Sequence, residues 1–278
     1  MKRPVLLIAF SGGRSSAFMT RFIMQHPKYR DYQKIVVFAN TGKEREETLD
    51  FVQRCNTEWH LGVVWLEAVV HPKKGKGTTF KQVNYVTANR NGTPYREVIQ
   101  KYGLPDINRP HCTRELKLVP IKKYMQSLGF TSWTTAVGIR FDEQHCINRK
   151  QAEKENKIYP LADDIRCTRA FVRSWWAHQP FDLELKDYEG NCDMCFKKSE
   201  RKLLTLIREQ PDLIGWWQEV ERTYGQGRYT LFRGCQSAGD LIRKARQGDF
   251  IPARDETIDP NDFDPLLDKE IPCLCGAS

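Results

Sequence analysis

No apolar run in the chain approaches the ~18 residues needed to cross a bilayer, so neither a spanning segment nor a membrane partner is expected. Met1-Lys2-Arg3 leads into a short apolar run, residues 4 to 10, before Ser11-Gly12-Gly13. That run is too brief for a secretory signal, and a cytoplasmic location is the expectation. Internal repeats and low-complexity tracts are absent, which excludes solenoid and linker-like architectures. No block of Lys or Arg is long enough to serve as a disordered binding arm; the basic residues are spread through segments of helical pattern. One more absence bears on chemistry. "AFSGGRSSAF", residues 9 to 18, follows an apolar run as a phosphate loop should, yet lacks the Gly-Lys-Ser/Thr that ends the common one.

What is present is a chain of 278 residues, 40% hydrophobic, enough for one sizeable core or a core with a smaller appended unit. A formal charge of +9 favours a nucleic acid or a polyanionic small molecule as partner, with a well-solvated basic surface as the bland alternative. Nine cysteines is an odd number, and without a secretory signal they do not suggest a disulfide framework. Metal binding or catalysis is the leading use for some of them.

"PVLLIAF" (4 to 10), "KIVVFAN" (34 to 40), "GVVWLEAVV" (62 to 70) and "TTAVGI" (134 to 139) have the pattern of buried parallel strands. Residues 15 to 27 and 44 to 57 place apolar side chains at helical spacing between them. The alternation predicts an α/β fold, a doubly wound, mostly parallel sheet with ligands beyond the carboxyl ends of the strands. Residues 1–160 form the expected nucleotide-binding unit, interrupted at 71–110 by a Lys-, Asn-, Gly- and Pro-rich insertion. Residues 161–278 read as an α-helical region with an irregular tail ending in "PCLCGAS".

Gly12 and Gly13 let the backbone turn tightly and approach an anion, while Ser11, Ser15 and Ser16 add hydroxyl donors at the start of a helix. Asp142 and Glu143 read either as a magnesium site or general base, or as an acidic pair at a helix start. "KEREE", 43 to 47, reads as a solvated first turn, with Glu44 close to a strand end. Cys192 and Cys195 form a Cys-x-x-Cys, whose spacing suits zinc, an iron-sulfur cluster or a redox dithiol. Cys112 precedes a helical pattern among Arg109, Arg114 and Lys117, a setting that favours thiolate; Cys273 and Cys275 offer a further position. Cys55, Cys146, Cys167 and Cys235 read as ordinary thiols, Cys235 the first candidate for an exception, and the Trp175-Trp176 and Trp216-Trp217 pairs as core.

Taken in order, "FSGGRSSA", "NTGKEREETLDFV", "RPHCTRELK", "VGIRFDE" and "NCDMCFKKS" resemble the phosphoadenosine phosphosulfate reductase-like branch, iron-sulfur type, of the PP-loop ATP pyrophosphatases, within the adenine nucleotide alpha hydrolase-like superfamily. The resemblance spans residues 5 to about 210. It implies that Ser11 to Ser16, including Arg14, grip the β- and γ-phosphates of ATP, which leave with Mg2+ as pyrophosphate. No lysine need then follow the γ-phosphate. It further implies Asn40, Thr41 and Gly42 near adenine or ribose, and Gly138, Ile139 and Arg140 near the α-phosphate. Many ATP-using members carry Asp where this chain has Ser15.

In that family three separated cysteine segments beside the nucleotide hold a [4Fe-4S] cluster, here Cys112, Cys192 and Cys195 with Cys273 or Cys275, zinc being the alternative. The implied reaction is adenylation of an acceptor followed by sulfur transfer, with a sulfur donor and a nucleic-acid or nucleotide acceptor bound by the basic insertion. The second reading is a sulfonucleotide reductase in which Cys275 or Cys273 attacks sulfur and a thioredoxin-like protein supplies electrons. The tail matches only the Cys-Gly of that family's Glu-Cys-Gly-x-His, and Cys112 stands alone where the iron-sulfur reductases have a Cys-Cys pair. The third is a metal-stapled nucleic-acid-binding protein without catalysis. Assembly as a homodimer is left open.

Overall fold

The apolar runs become the interior of a sheet of order β4-β3-β2-β1-β5-β6. The computed structural model describes residues 3–73, 75–106, 109–225 and 236–255. The strands are β1 (Val5–Ala9), β2 (Gln33–Asn40), β3 (Val64–Val70), β4 (Thr78–Val83), β5 (Thr134–Ala136) and β6 (Lys157–Ile158). All neighbours pair in parallel except β3 and β4. The helices interleave with them: α1 (Arg14–Gln25) after β1, α2 (Glu46–Trp59) after β2 and α3 (Thr93–Tyr102) after β4. A continuous helical run leads to β5, made of α4 (His111–Thr113), a π-helical turn (Arg114–Leu118) and α5 (Val119–Ser127).

Two of these elements fall inside the 71–110 insertion. β4 is an edge strand in which every residue but Thr78 is half-exposed or exposed, so it does not read as a buried strand. α3 buries Tyr95, Val98 and Ile99 against the C-terminal helices. The segment is therefore part of the framework and not a free-standing basic loop.

Alternation along β1 sorts the two faces. Leu6, Ile8 and Phe10 join α1, α2 and the later helix α8 (Arg169–Ala177) in the largest core, which includes Trp176 at 1% exposure. Val5 and Leu7 face the other way, toward Tyr124 and Met125 of α5. α5 packs mainly across β2, β3 and β4, with Tyr124 and Met125 reaching Val5 and Leu7 of β1. On that face Leu7, Ala9, Thr135 and Val137 line a cavity where a covering helix would ordinarily lie.

Beyond β5 come a 3-10 turn (Phe141–Cys146), α6 (Arg149–Lys154) and α7 (Pro160–Asp163). The expected helical region follows as α8, α9 (Glu200–Glu209), α10 (Leu213–Tyr224) and α11 (Ala238–Gln247). Ser199 and Ser237 cap α9 and α11 by accepting backbone N–H bonds, each worth about 1 kcal/mol. Their apolar faces pack on α3 and on Ala68 and Val70 at the carboxyl end of β3. No helix among the described residues is long and apolar enough to cross a membrane.

Candidate nucleotide and thiol site

From β1 the chain builds outward through β2, β3 and β4, then crosses to place β5 on the other side of β1. The order reverses between β1 and β5, and their carboxyl ends are where a doubly wound sheet opens a ligand crevice. Two loops meet there. Ser11-Gly12-Gly13 leads into α1, with Gly13 as its N-cap, and Gly138 of the loop after β5 lies against it. A Cβ on Gly138 would stand a tight 3.2 Å from the Ser16 Cα, so the missing side chain eases this approach. Gly12 has φ +83°, and a Cβ there would meet the Thr48 Cγ2 at 2.6 Å.

The loop is tied internally by Ser16. Its Oγ accepts from the Ser11 N–H at 3.2 Å and the Ser11 Oγ at 3.0 Å, and donates to the Gly13 carbonyl at 2.9 Å. Ser11, Gly13, Arg14, Ser15, Ser16, Gly138, Ile139 and Arg140 all line one cavity of about 840 Å³. It runs as a trough from this loop along the uncovered face of β1 and β5 to Trp133. The middle is apolar, with Leu7, Val137, Leu118 and Ile121. Eight Lys or Arg side chains line it against three acidic ones, which suits a ligand with a flat apolar part and a polyanionic end.

Arg140 donates to the Ser15 Oγ at 3.0 Å and pairs with both Asp142 and Glu143 at 3.0 Å. Asp142 also accepts the Arg169 N–H at 3.1 Å, and Glu143 closes a capping box on the 3-10 turn. The two acids thus organise the loop after β5 and hold Arg140 beside the phosphate loop. On the far wall, the Arg14 Nε donates to both Asp182 oxygens, at 2.8 and 3.0 Å, and Arg14 reaches Asp187 at 3.9 Å. Asp187 also meets Arg169, at 3.2 Å, and Arg173.

Asn40, Thr41 and Gly42 lie one strand over. The Asn40 amide donates to Glu67 at 2.7 Å and to the Asn89 carbonyl at 2.9 Å, and its oxygen accepts from Gly42. Thr41 donates through its N–H and hydroxyl to Glu44, both at 2.8 Å. These side chains fasten the strand end where an adenine or ribose contact was expected.

The expected solvated turn at 43 to 47 is instead a buried junction at residues 43 to 45. Lys43 pairs with Asp193 at 2.7 Å, the two side chains being 11% and 8% exposed. Asp193 accepts the Trp217 indole N–H at 2.8 Å. Arg45 meets Glu189 at 3.3 Å, and its N–H donates to the Asn191 carbonyl at 2.8 Å. Glu44 and Cys192 pair across as a short antiparallel bridge, with the Cys192 thiol 3.8 Å from the Glu44 carboxylate. Local sequence carried no sign of this, because the partners lie about 150 residues later in the chain.

The Cys-x-x-Cys is held on that junction. Burial, and then the Glu44 charge, push the Cys192 thiol well above its ordinary value. Tyr95 is surrounded by thiols: its hydroxyl is pushed up by burial, by Cys112, to which it is hydrogen-bonded, and by Cys195 and Cys192. Cys112, Cys192 and Cys195 therefore converge from α4 and the 190–195 segment. The soft donor set matches a thiolate-held group in kind, but among the described residues no three Cys, His, Asp or Glu side chains close on a metal ion. Arg109 and Arg114 beside Cys112 are engaged with Asp106 and Glu115. Burial lowers the pKa of His111. Cys235, Cys273 and Cys275 lie outside the described residues.

The basic residues of the insertion are mostly committed. Arg90 pairs with Glu46 at 2.8 Å and Arg96 with Glu219 at 2.5 Å, whereas Lys73 and Lys76 are exposed and Lys74 lies outside the described residues. The trough rim is the more concentrated basic surface.

A family model for the phosphoadenosine phosphosulfate reductase domain matches residues 5–163. The uncharacterized nin region protein ORF290 of Escherichia phage lambda is 30% identical over 269 residues, which cover 93% of this chain and 91% of that protein. Two uncharacterized proteins of Methanocaldococcus jannaschii are similar over much of this chain. MJ0973 is 25% identical over 88% of the chain and 54% of its own length, and MJ0066 is 26% identical over 81% and 43%. The chain thus spans about half the length of those two.

Proposed function

Because the chain belongs to the phosphoadenosine phosphosulfate reductase domain family, we propose that it is a PP-loop enzyme that takes ATP, adenylates an acceptor and supports sulfur transfer to it. The trough carries the reading: it starts at a serine-glycine loop at the reversal of strand order, has an apolar middle and a surplus of cations. The β- and γ-phosphates would sit on Ser11 to Ser16, with Arg140 at the α-phosphate. An acceptor oxygen attacks the α-phosphorus, the α-β bond breaks, and pyrophosphate departs with the bond's electron pair. A sulfur nucleophile then displaces AMP from the adenylated acceptor. Backbone N–H groups and fixed guanidinium groups stabilise the charge that builds on the leaving phosphates.

Mg2+ would accompany the triphosphate, with Asp142 and Glu143 as the acids proposed to act there, as its partners or as a base. A [4Fe-4S] cluster, or zinc, would be held by Cys112, Cys192 and Cys195 with Cys273 or Cys275, and would supply sulfide or orient the acceptor. A nucleic acid is the proposed acceptor, its phosphates met by the basic rim in a salt-dependent way; a cytoplasmic location fits this chemistry.

One observation favours the reductase as a second reading. The loop has Ser15 where an acid could help hold a metal-nucleotide, and Ser15 is bonded to Arg140. That pairing suits a phosphosulfate nucleotide held without a metal, with Cys275 or Cys273 attacking sulfur and a thioredoxin-like reductant restoring the thiol.

Calorimetric titration with ATP and with adenosine phosphosulfate, the latter with and without a 3′-phosphate, followed by product analysis, separates these readings. The first predicts that ATP binds and yields AMP and pyrophosphate in equal amounts with an RNA or DNA acceptor. Sulfite release from a phosphosulfate nucleotide, with no binding of ATP, would replace it by the second. Iron, sulfide and zinc analysis of anaerobically purified protein tests the metal assignment; a metal-free protein would remove it.

A further inference from the structure

We propose that Asn191 is a positioning residue that links occupancy of the phosphate loop to the state of the Cys192 thiol. The proposal rests on the reading of Ser11 to Ser16 as a phosphate site. Asn191 lies between the two regions and touches both. Its side-chain amide donates to the Ser11 carbonyl at 2.9 Å. It also fills the space beside Gly13, where a Cβ would stand 3.2 Å from the Asn191 Nδ2. Its backbone carbonyl accepts the Arg45 N–H at 2.8 Å, and the next residue is Cys192, paired across to Glu44.

The segment around it has little freedom to absorb a shift. On its N-terminal side Arg14, itself the first residue of α1, holds Asp182 and the Leu183 and Leu185 carbonyls. On its C-terminal side the Asp193 N–H donates to the Lys43 carbonyl at 3.1 Å while the Asp193 carboxylate takes the Lys43 ammonium. Residues 182 to 193 therefore form a strap fixed at both ends, and the only side chain of its 190–192 stretch on the phosphate loop is the Asn191 carboxamide. An anion drawn onto the Ser11 to Ser16 backbone pulls on the Ser11 carbonyl and Gly13 together, and Asn191 passes that displacement to Cys192. Glu44 gives the strand side of the same linkage, since one carboxylate caps Thr41 at the end of β2 and faces the Cys192 thiol.

Linkage requires the effect to run both ways, with an expected coupling of about 5- to 150-fold. A state change at the thiols, by metal loading or oxidation, then alters nucleotide affinity by the same factor that nucleotide alters thiol opening. Sulfur chemistry would in this way be made conditional on a filled nucleotide site.

The test is the rate of Cys192 alkylation by N-ethylmaleimide, read by peptide mass spectrometry on the protein as purified, with ATP, inorganic pyrophosphate or no addition. Binding of each is measured separately by calorimetry. In the wild type, saturating ATP or pyrophosphate changes the Cys192 rate at least about fivefold. In Asn191→Ala the two ligands still bind, but the change falls below about twofold; Asn191→Gln, which keeps the amide donor, recovers part of it. Cys55, on the buried face of α2, serves as an internal control whose slow rate is the same throughout if the fold is intact. Ligand binding with an unchanged Cys192 rate in the wild type overturns the link alone. Equal responses in wild type and Asn191→Ala overturn the role of Asn191. No binding of either ligand overturns the phosphate-loop reading and the link with it.

Discussion

The phosphate-loop trough and the thiol junction are neighbours in space, joined by residues 190 to 193, and they are built on opposite principles. The trough is open and lined by more cationic than acidic side chains. The junction is closed, with buried ion pairs between Lys43 and Asp193 and between Arg45 and Glu189, and with Glu44 accepting from the Thr41 N–H and hydroxyl. The trough sets its cations along an open crevice, several of them held in place by acids such as Asp182, Asp142 and Asp187, whereas the junction buries its pairs between two chain segments. Binding capacity and positional precision are thus divided between two regions of one site.

That contrast can be broken from either side, and the closed side should break hardest. Lys43→Met leaves the Asp193 carboxylate buried without its partner, which costs about 3–5 kcal/mol, although the neighbouring Trp217 N–H will offset part of it. Urea unfolding checks this, and an unfolding midpoint unchanged from wild type would mean the pair is not structurally important. Gly12→Ala acts on the open side. Placing a Cβ at φ +83° costs on the order of 1–3 kcal/mol, with the Thr48 methyl already in the way. It should weaken ATP binding in calorimetry by more than it shifts thermal unfolding.

Ser16→Ala removes the hydroxyl that ties Ser11 to Gly13, a loss of about 1 kcal/mol or roughly fivefold in nucleotide affinity. Thermal unfolding should move little, because the loop carries function more than stability. A pH dependence arises beside the loop after β5, where the Phe141 N–H donates to the Cys167 carbonyl at 3.0 Å. Burial raises the Cys167 thiol from 9.0 to about 11. Its neutral form is the one the fold favours, so the contribution is fully present below pH 9 and is lost as pH rises through about 11. Urea midpoints between pH 8 and pH 11 should fall less in Cys167→Ala than in the wild type.

The open side was far more legible in the sequence than the closed side. β1, β2, β3 and β5 fall within apolar, β-rich runs, and the serine-glycine loop announces itself by position after the first of them. Their alternation fixed the fold class because each element's pattern is local. β4 escaped because an edge strand with a half-exposed face, "TTFKQV", has neither a clean period nor an apolar run, and β6 is only two residues long. The junction escaped for a different reason. "KEREE" is what a solvated helix start looks like, and nothing near it shows that Asp193, Glu189 and Asn191 will fold against it. The partner of Asn40 was hidden in the same way: Glu67, an acid inside the run of β3, takes its amide at the strand end. Buried polar networks between distant segments leave no periodic trace, which is why the cysteine residues could be named and their setting could not.

The most direct test of the central claim is photolabelling with 8-azido-ATP followed by peptide mapping. A nucleotide in the trough places the label on peptides from residues 118 to 140, the stretch running from Leu118 and Ile121 through Trp133 to Arg140, and excess unlabelled ATP removes it. Label confined to the 71–110 segment, or label that ATP does not compete away, would contradict the account.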